Sequence, residues 1–325
     1  MNPKVFLTRR IPQPGLDLLG KECKVKVNPY DRVLTKGEIL EEIKEIDGLL
    51  PLLTDTIDAE VMNQGKNLKI VSNYAVGYNN IDVEAATKRG IMVTNTPGVL
   101  TNTTADLTWA LLMSVARRIR EADQFTRQGK FRGWVPMLFL GADVHHSTLG
   151  IIGLGRIGQA MAKRAKGFEM RILYTDVIRT SEQVEKELGA KFTSLSNLLK
   201  QSDFVTIHAP LLPETYHLIS KEKLKLMKKS SFLINAARGP LVDEKALVTA
   251  LREGWIAGAA LDVYEDEPGL APGLSELDNV VIVPHIGSAS IPTRTKMAVM
   301  AATNIIAGLK GEIPSNLVNK KVLGK

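Results

Sequence analysis

Three side chains of complementary chemistry each follow an apolar run: Arg238 after Phe232-Leu-Ile-Asn-Ala-Ala237, Glu267 shortly after Ala259-Ala-Leu-Asp-Val-Tyr264, and His285 at the end of Val280-Val-Ile-Val-Pro-His285. An arginine grips a carboxylate through two parallel N–H···O bonds and so fixes the carbon beside it. An imidazole moves a proton near neutral pH, and a carboxylate beside it stabilises its cation and decides which nitrogen faces outward. Given a nicotinamide, the three groups suit the reduction of a 2-keto acid to a 2-hydroxy acid, with hydride to the carbonyl carbon and a proton to its oxygen. Each also has a plainer role open to it: a surface ion pair for Arg238, a solvated acidic loop for Glu265-Asp-Glu-Pro268, a buried structural imidazole for His285. Their common place favours the chemical role, because open parallel sheets present ligands at the C-terminal ends of their strands.

The nicotinamide has its own signature. Gly153-Leu-Gly155-Arg156-Ile157-Gly158 follows the apolar run Thr148-Leu-Gly-Ile-Ile152 and leads into Gln159-Ala-Met-Ala-Lys-Arg-Ala165. Gly153 permits a tight strand-to-helix turn, Gly155 lets a pyrophosphate approach the backbone, and Gly158 lets helix and strand pack closely. The helix then offers free N–H groups and the positive end of its dipole to the phosphates. Asp176 closes the next apolar run, Met170 to Asp176, at about the 20-residue spacing at which a carboxylate accepts hydrogen bonds from the adenosine ribose. A 2′-phosphate there meets a like charge, so NAD is favoured; Arg179, three residues on, keeps NADP open. The plain alternative is a glycine turn without a ligand, which the ordered strand, helix and Asp176 speak against. The other histidines, His145, His146, His208 and His217, have no metal-ligand spacing with acids or cysteines, and no metal is expected.

Repeated alternation of strands and helices must position these residues. Lys4–Leu7, Val25–Val27, Gly48–Leu53, Leu68–Ser72 and Ile91–Thr94 read as strands. Between them Gly15–Leu19, Thr35–Glu45, Asp58–Gln64 and Val83–Lys88 read as helices, which implies a parallel sheet covered on both faces. Thr103-x-x-Asp106 resembles a capping box opening one long helix through Trp109, Leu112, Val115 and Ile119, ended by Gly129. A second series contributes six strands, Leu149–Ile152, Ile172–Thr175, Phe204–His208, Phe232–Asn235, Ala257–Val263 and Val280–Val283, the number in the doubly wound dinucleotide fold. A last helix, Pro292–Leu309, is expected to return to the first domain.

The chain has 325 residues, more than one hydrophobic core usually serves, so two domains are expected. Its net charge of +7 is spread along helices with acids between. The densest run, Lys221–Lys229, has leucines at helical spacing and reads as a solvated helix face, so nucleic acid is not an expected partner. A single cysteine, Cys23, excludes an internal disulfide, and no apolar run is long enough for a membrane span or a signal peptide, so a cytoplasmic protein is expected.

Four ordered motifs, Gly150-Ile-Ile-Gly-Leu-Gly-Arg-Ile-Gly158, Asn235-Ala236-Ala237-Arg238-Gly239, Asp262-Val-Tyr-Glu-Asp-Glu-Pro268 and Pro284-His-Ile-Gly287, together resemble the D-isomer-specific 2-hydroxyacid dehydrogenase family over nearly the whole chain. Asn73-Tyr-Ala-Val-Gly-Tyr-Asn-Asn-Ile-Asp82, Val93-Thr-Asn-Thr-Pro97 and Gly311-Glu-Ile-Pro-Ser-Asn-Leu317 are most similar to its glyoxylate and hydroxypyruvate reductase branch. The resemblance implies two doubly wound α/β domains. A flavodoxin-like substrate-binding domain would take 1–99 and 288–325, and a Rossmann NAD(P)-binding domain 100–287. It implies Arg238 as the substrate-carboxylate arginine, His285 as the acid/base, Glu267 as its partner, and Asp262 as the holder of the nicotinamide carboxamide. Backbone N–H groups of Val76 and Gly77 would clamp the substrate carboxylate from the substrate domain. His208, Pro210 and Thr215 resemble the adenine-side segment, and Ala236, Ala237 and Gly287 lie in the motifs that border the cofactor. Leu53, Val76, Trp134 and Ser288 are pocket candidates, Trp134 being as well suited to a core or dimer contact. A homodimer through Thr101–Leu140 is implied as well. Some members of the branch prefer NADPH and carry Ser or Arg where this chain has Asp176; the charge argument favours NAD here. The alternatives are another small substrate, such as a larger 2-keto acid, phosphite or formate, and a nicotinamide-sensing corepressor-like scaffold.

Overall fold

Strands such as Phe204–Ile207 and Phe232–Asn235 are buried at every residue, which only a sheet covered on both faces allows. The computed structural model, which describes residues 2–324, divides into two units, Met1–Leu100 with Ser288–Lys325, and Thr101–Gly287.

In the first unit β1 (Lys4–Leu7), α1 (Gln13–Glu22), β2 (Lys24–Val27), α2 (Lys36–Glu42), β3 (Gly48–Leu50), α3 (Ala59–Gln64), β4 (Ile70–Ser72), α4 (Val83–Lys88) and β5 (Met92–Thr94) alternate. All strand pairs are parallel, in the order β2-β1-β3-β4-β5, the flavodoxin-like order. One face packs Phe6, Leu49, Val71 and Val93 with Ile39, Val61 and Ala86 from the helices. The other receives the final helix of the chain. A Cβ on Gly48 would meet Ile305 of that helix, and one on Gly15 would lie 2.8 Å from the Ala298 side chain, so these glycines let it seat closely.

The second unit opens with α5 (Thr101–Ala116) and α6 (Ile119–Arg127), followed by β6 (Thr148–Ile152), α7 (Arg156–Gly167), β7 (Arg171–Thr175), α8 (Glu182–Leu188), β8 (Ala190–Phe192), α9 (Leu195–Gln201), β9 (Phe204–Ile207), α10 (Lys221–Leu224), β10 (Phe232–Asn235), α11 (Glu244–Arg252), β11 (Gly258–Leu261) and β12 (Val280–Ile282). The seven strands are parallel in the order β12-β11-β10-β9-β6-β7-β8. The direction of winding reverses between β6 and β9, the place where such sheets bind ligands. The chain then returns to the first unit as α12 (Ile291–Leu309).

Four expectations need correction. The second sheet has seven strands, not six, because three-residue β8, with only Ala190 buried, has too little apolar pattern to show. The long helix is two helices: Arg118 adopts φ 53° and the Ala116 carbonyl accepts from Ala142 N–H at 2.9 Å instead of continuing the helical ladder. Thr103 is no cap, since α5 already begins at Thr101, and Asp106 instead receives the Arg164 guanidinium. Of the lysine-rich run only Lys221–Leu224 is helical, with Leu224 and Met227 buried in the core beside it.

Candidate active site

The turn after β6 is shaped by its glycines in different ways. Gly153 holds φ +90°, and a Cβ there would lie 2.8–2.9 Å from the His208–Ala209 backbone. Gly158 lies against the Gly153 carbonyl, 2.1 Å from where its Cβ would stand. In front of Gly155 there is open space, with nothing within 4 Å. Gly155 caps α7 without a side-chain hydrogen bond, and the N–H groups of the first turn, Arg156 and Ile157 among them, are those a helix leaves without internal partners. The turn thus has the room and the donors that a pyrophosphate requires.

Asp176, past the end of β7, accepts from Leu154 N–H and Val177 N–H, both at 2.8 Å. It therefore ties the glycine turn to its own strand while each oxygen keeps a lone pair for a hydroxyl. The Arg179 guanidinium grips both oxygens of Glu185 at 2.8 Å, and Tyr174 donates to the same carboxylate at 2.6 Å. Those bonds hold the Glu185 pKa at about 2. Past β9, burial pushes the His208 imidazole below its ordinary value, to the neutral form, and its Nε2 meets the Thr206 hydroxyl at 2.9 Å. Thr215 closes the following loop, donating to the Pro210 carbonyl at 2.8 Å and accepting from Leu212 N–H.

Arg238, Glu267 and His285 come together at the ends of β10, β11 and β12. The His285 Nδ1 lies 2.8 Å from Glu267 Oε2, and the other oxygen of Glu267 accepts from Tyr264 N–H at 3.1 Å. Burial works hardest on the Glu267 pKa and raises it, but the bond to His285, the His285 charge, the Tyr264 N–H and the Arg238 charge together outweigh it, and the carboxyl titrates below its ordinary value. The Nε2 of His285 has no protein partner among the described residues. Arg238 is mostly withdrawn from solvent, which lowers its pKa, while the Glu267 charge partly restores it. Its backbone follows buried Ala236 and half-buried Ala237, with its carbonyl held by Asn235 Nδ2 at 2.8 Å and its Nη1 donating to the Ala237 carbonyl at 2.7 Å.

Asp262 does something the sequence did not show. It is fully buried, and its two oxygens accept from Ile286 N–H at 2.6 Å and Gly287 N–H at 2.8 Å. Tyr264 hydroxyl donates to the Val283 carbonyl at 2.7 Å. Together they staple the segment that carries His285, which stands at φ 52°. Another His–carboxylate pair lies in the same unit, His217 Nε2 with Glu265 Oε1 at 2.6 Å, Tyr216 stacked on the imidazole. Glu265 and Glu244 cross-link their segments through each other's backbone N–H groups, which makes this pair a loop fastener.

In the first unit Leu53 sits in the loop after β3, and Val76 and Gly77 in the loop after β4, all three half-buried. The N–H groups of Val76 and Gly77 have no partner among the described residues. Ser288 is half-buried, its carbonyl accepting from Ser290 N–H at 2.8 Å. Trp134 is 84% exposed, on the segment between α6 and β6, which also exposes Phe131, Val135, Met137 and Leu140.

The family model described as D-isomer specific 2-hydroxyacid dehydrogenase, NAD binding domain, matches residues 109–287. Glyoxylate reductase of Thermococcus onnurineus is 54% identical, with 99% of this chain and 98% of that protein covered. A solved structure from Thermus thermophilus superimposes with a TM-score of 0.91 at 46% identity, covering 97% of this chain and 99% of that one. The NADPH-dependent glyoxylate/hydroxypyruvate reductase of Sinorhizobium meliloti, solved with NADP and malonate, gives a TM-score of 0.87 at 30% identity, with 99% and 98% covered.

Proposed function

The chain belongs to the D-isomer-specific 2-hydroxyacid dehydrogenase family, and from that premise we propose that it reduces glyoxylate, and hydroxypyruvate beside it, to the corresponding 2-hydroxy acid. The observation that carries the reading is the 2.8 Å contact between His285 Nδ1 and Glu267, which leaves Nε2 as the one nitrogen able to face a substrate. The reactant class follows from Arg238, whose guanidinium binds a carboxylate next to the reacting carbon. The similarity to glyoxylate reductases over 99% of the chain narrows it to small keto acids.

The residues divide the work. Arg238 holds the substrate carboxylate and thereby fixes the carbonyl carbon for attack; the N–H groups of Val76 and Gly77, by themselves, are donors of the kind a carboxylate takes. The bound nicotinamide supplies the hydride. His285, charged, donates its Nε2 proton to the carbonyl oxygen as negative charge develops there, and Glu267, kept ionised, stabilises the imidazolium until the transfer. In the reverse direction the same nitrogen accepts the hydroxyl proton. Asp262 keeps His285 at its station through the two N–H bonds it accepts.

For the cofactor we favour NADH. Asp176 presents a carboxylate where the ribose hydroxyls would lie, and Arg179, the group suited to a 2′-phosphate, is committed to Glu185. The open space before Gly155 and the free first turn of α7 support the placement of the pyrophosphate. A homodimer is our reading of the apolar segment from Phe131 to Leu140, exposed to an extent that a lone surface residue does not explain. The one cysteine, buried, fits the reducing cytoplasm; among the described residues no helix is long and apolar enough to cross a membrane.

Initial rates with NADH and NADPH, against glyoxylate, hydroxypyruvate, pyruvate and a bulky 2-keto acid, test the reading. Turnover of the two small acids with NADH, at a kcat/KM well above that with NADPH, is expected. Preference for NADPH would overturn the assignment of Asp176, and no turnover with any of the acids would overturn the function.

A further inference from the structure

Three successive carbonyls in the loop after β4 are held. Ala75 O accepts from Thr96 N–H at 2.9 Å, Val76 O from Asn95 Nδ2 at 2.8 Å, and Gly77 O from Asn73 Nδ2 at 2.8 Å. In a trans peptide the N–H points opposite to the C=O of the same plane, and the described peptides here are trans. Each held carbonyl therefore turns the next N–H away from its holder, so the donors of Val76, Gly77 and Tyr78 are set from behind. None of the three has a partner among the described residues.

The holders are themselves fixed. Asn73 is fully buried, a costly place for an amide unless its hydrogen bonds are made. Its second N–H reaches Asn80 Oδ1 at 3.1 Å, and Asn80 Nδ2 donates to the Leu52 carbonyl at 3.0 Å and the Asp55 carbonyl at 3.1 Å. Asp55 in turn accepts from Leu52 N–H and from the Thr8 hydroxyl. The Asn95 backbone is anchored to α12 by Asn304 Nδ2 at 3.2 Å. One amide network thus joins the loop that carries Leu53 to the loop that carries Val76 and Gly77.

We propose that Asn95 and Asn73 are positioning residues, which aim the N–H groups of Gly77 and Tyr78 at the substrate carboxylate without touching it. Tyr78 thereby becomes a third backbone donor to the anion. The inference rests on the proposed role of the Val76–Gly77 segment. Asn95 is the decisive position, since Asn95→Asp keeps the shape but sets a carboxylate oxygen against the Val76 carbonyl, and the peptide must turn. The expected result is a rise in KM for glyoxylate and in the inhibition constant of oxamate, each on the order of 10-fold, the scale of one lost hydrogen bond. The dissociation constant of NADH and the unfolding midpoint stay as in the wild type. Asn95→Ala, which removes the donor without adding a charge, raises both constants by a smaller factor and decides the matter should the Asp variant not fold. Unchanged constants in the folded variant, or a loss of kcat and midpoint with KM and NADH affinity moving together, overturn the positioning role. A wild type that turns over no keto acid sinks the functional reading, and the inference with it, before any variant is compared.

Discussion

In the proposed reaction His285 acts through Nε2 because Glu267 holds the other nitrogen. Replacing it with Gln keeps size and polarity but removes the transferable proton, so turnover of glyoxylate falls by about 10²–10⁴ while NADH affinity, read by fluorescence titration, stays near the wild-type value. A variant that turned over at the wild-type rate would move the proton transfer elsewhere. That Arg238, Glu267 and His285, the side chains proposed to react, lie together was legible because each had to stand just beyond an apolar run, a placement that sequence order alone displays. What Asp262 does was not legible: its oxygens meet the N–H groups of Ile286 and Gly287, and such a bond leaves no mark on residue spacing. Arg179 is a further case: nearness in sequence to Asp176 keeps a phosphate ligand open, while spacing does not display the bond its guanidinium makes to a glutamate six positions on.

At the scale of elements, the turn between β6 and α7 separates two kinds of glycine. Gly153→Ala forces a side chain into a left-handed backbone and against the His208–Ala209 peptide. The cost is about 1–3 kcal/mol, and at about 2–4 °C per kcal/mol the unfolding midpoint drops by several degrees. Gly155→Ala meets nothing within the protein, so the midpoint holds, yet the dissociation constant of NADH rises as the methyl stands where the pyrophosphate approaches. Calorimetry and NADH titration on the two variants check the pair; equal midpoints, or an unaltered NADH affinity in the second, contradict it. Strands and helices with full apolar runs were readable, and α4 matches its expected range, Val83–Lys88. The misses have a common physical origin: β8 and the break at Arg117–Arg118 are decided by neighbours far along the chain. Tyr174 pairs β8 into the sheet and Ala142 takes the carbonyl that would have continued the helix.

For the whole molecule, the exposed apolar segment Phe131–Leu140 is the contact we propose between two chains. Trp134→Glu with Met137→Glu places two charges on residues that are 84% and 74% exposed, so folding is spared and light scattering at micromolar concentration is expected to report a monomer where the wild type is a dimer. A wild type that is already monomeric contradicts the dimer. The return of α12 to the first unit has a consequence for how the chain is made. When Gly287 has left the ribosome every residue of the second unit is outside it, while the β4 residues that will rest on α12, among them Ser72 with its bond to the Ala301 carbonyl, still lack their cover. Because domains fold as units during synthesis, the later-made middle of the chain can settle first, and the opening hundred residues wait for the last helix to emerge.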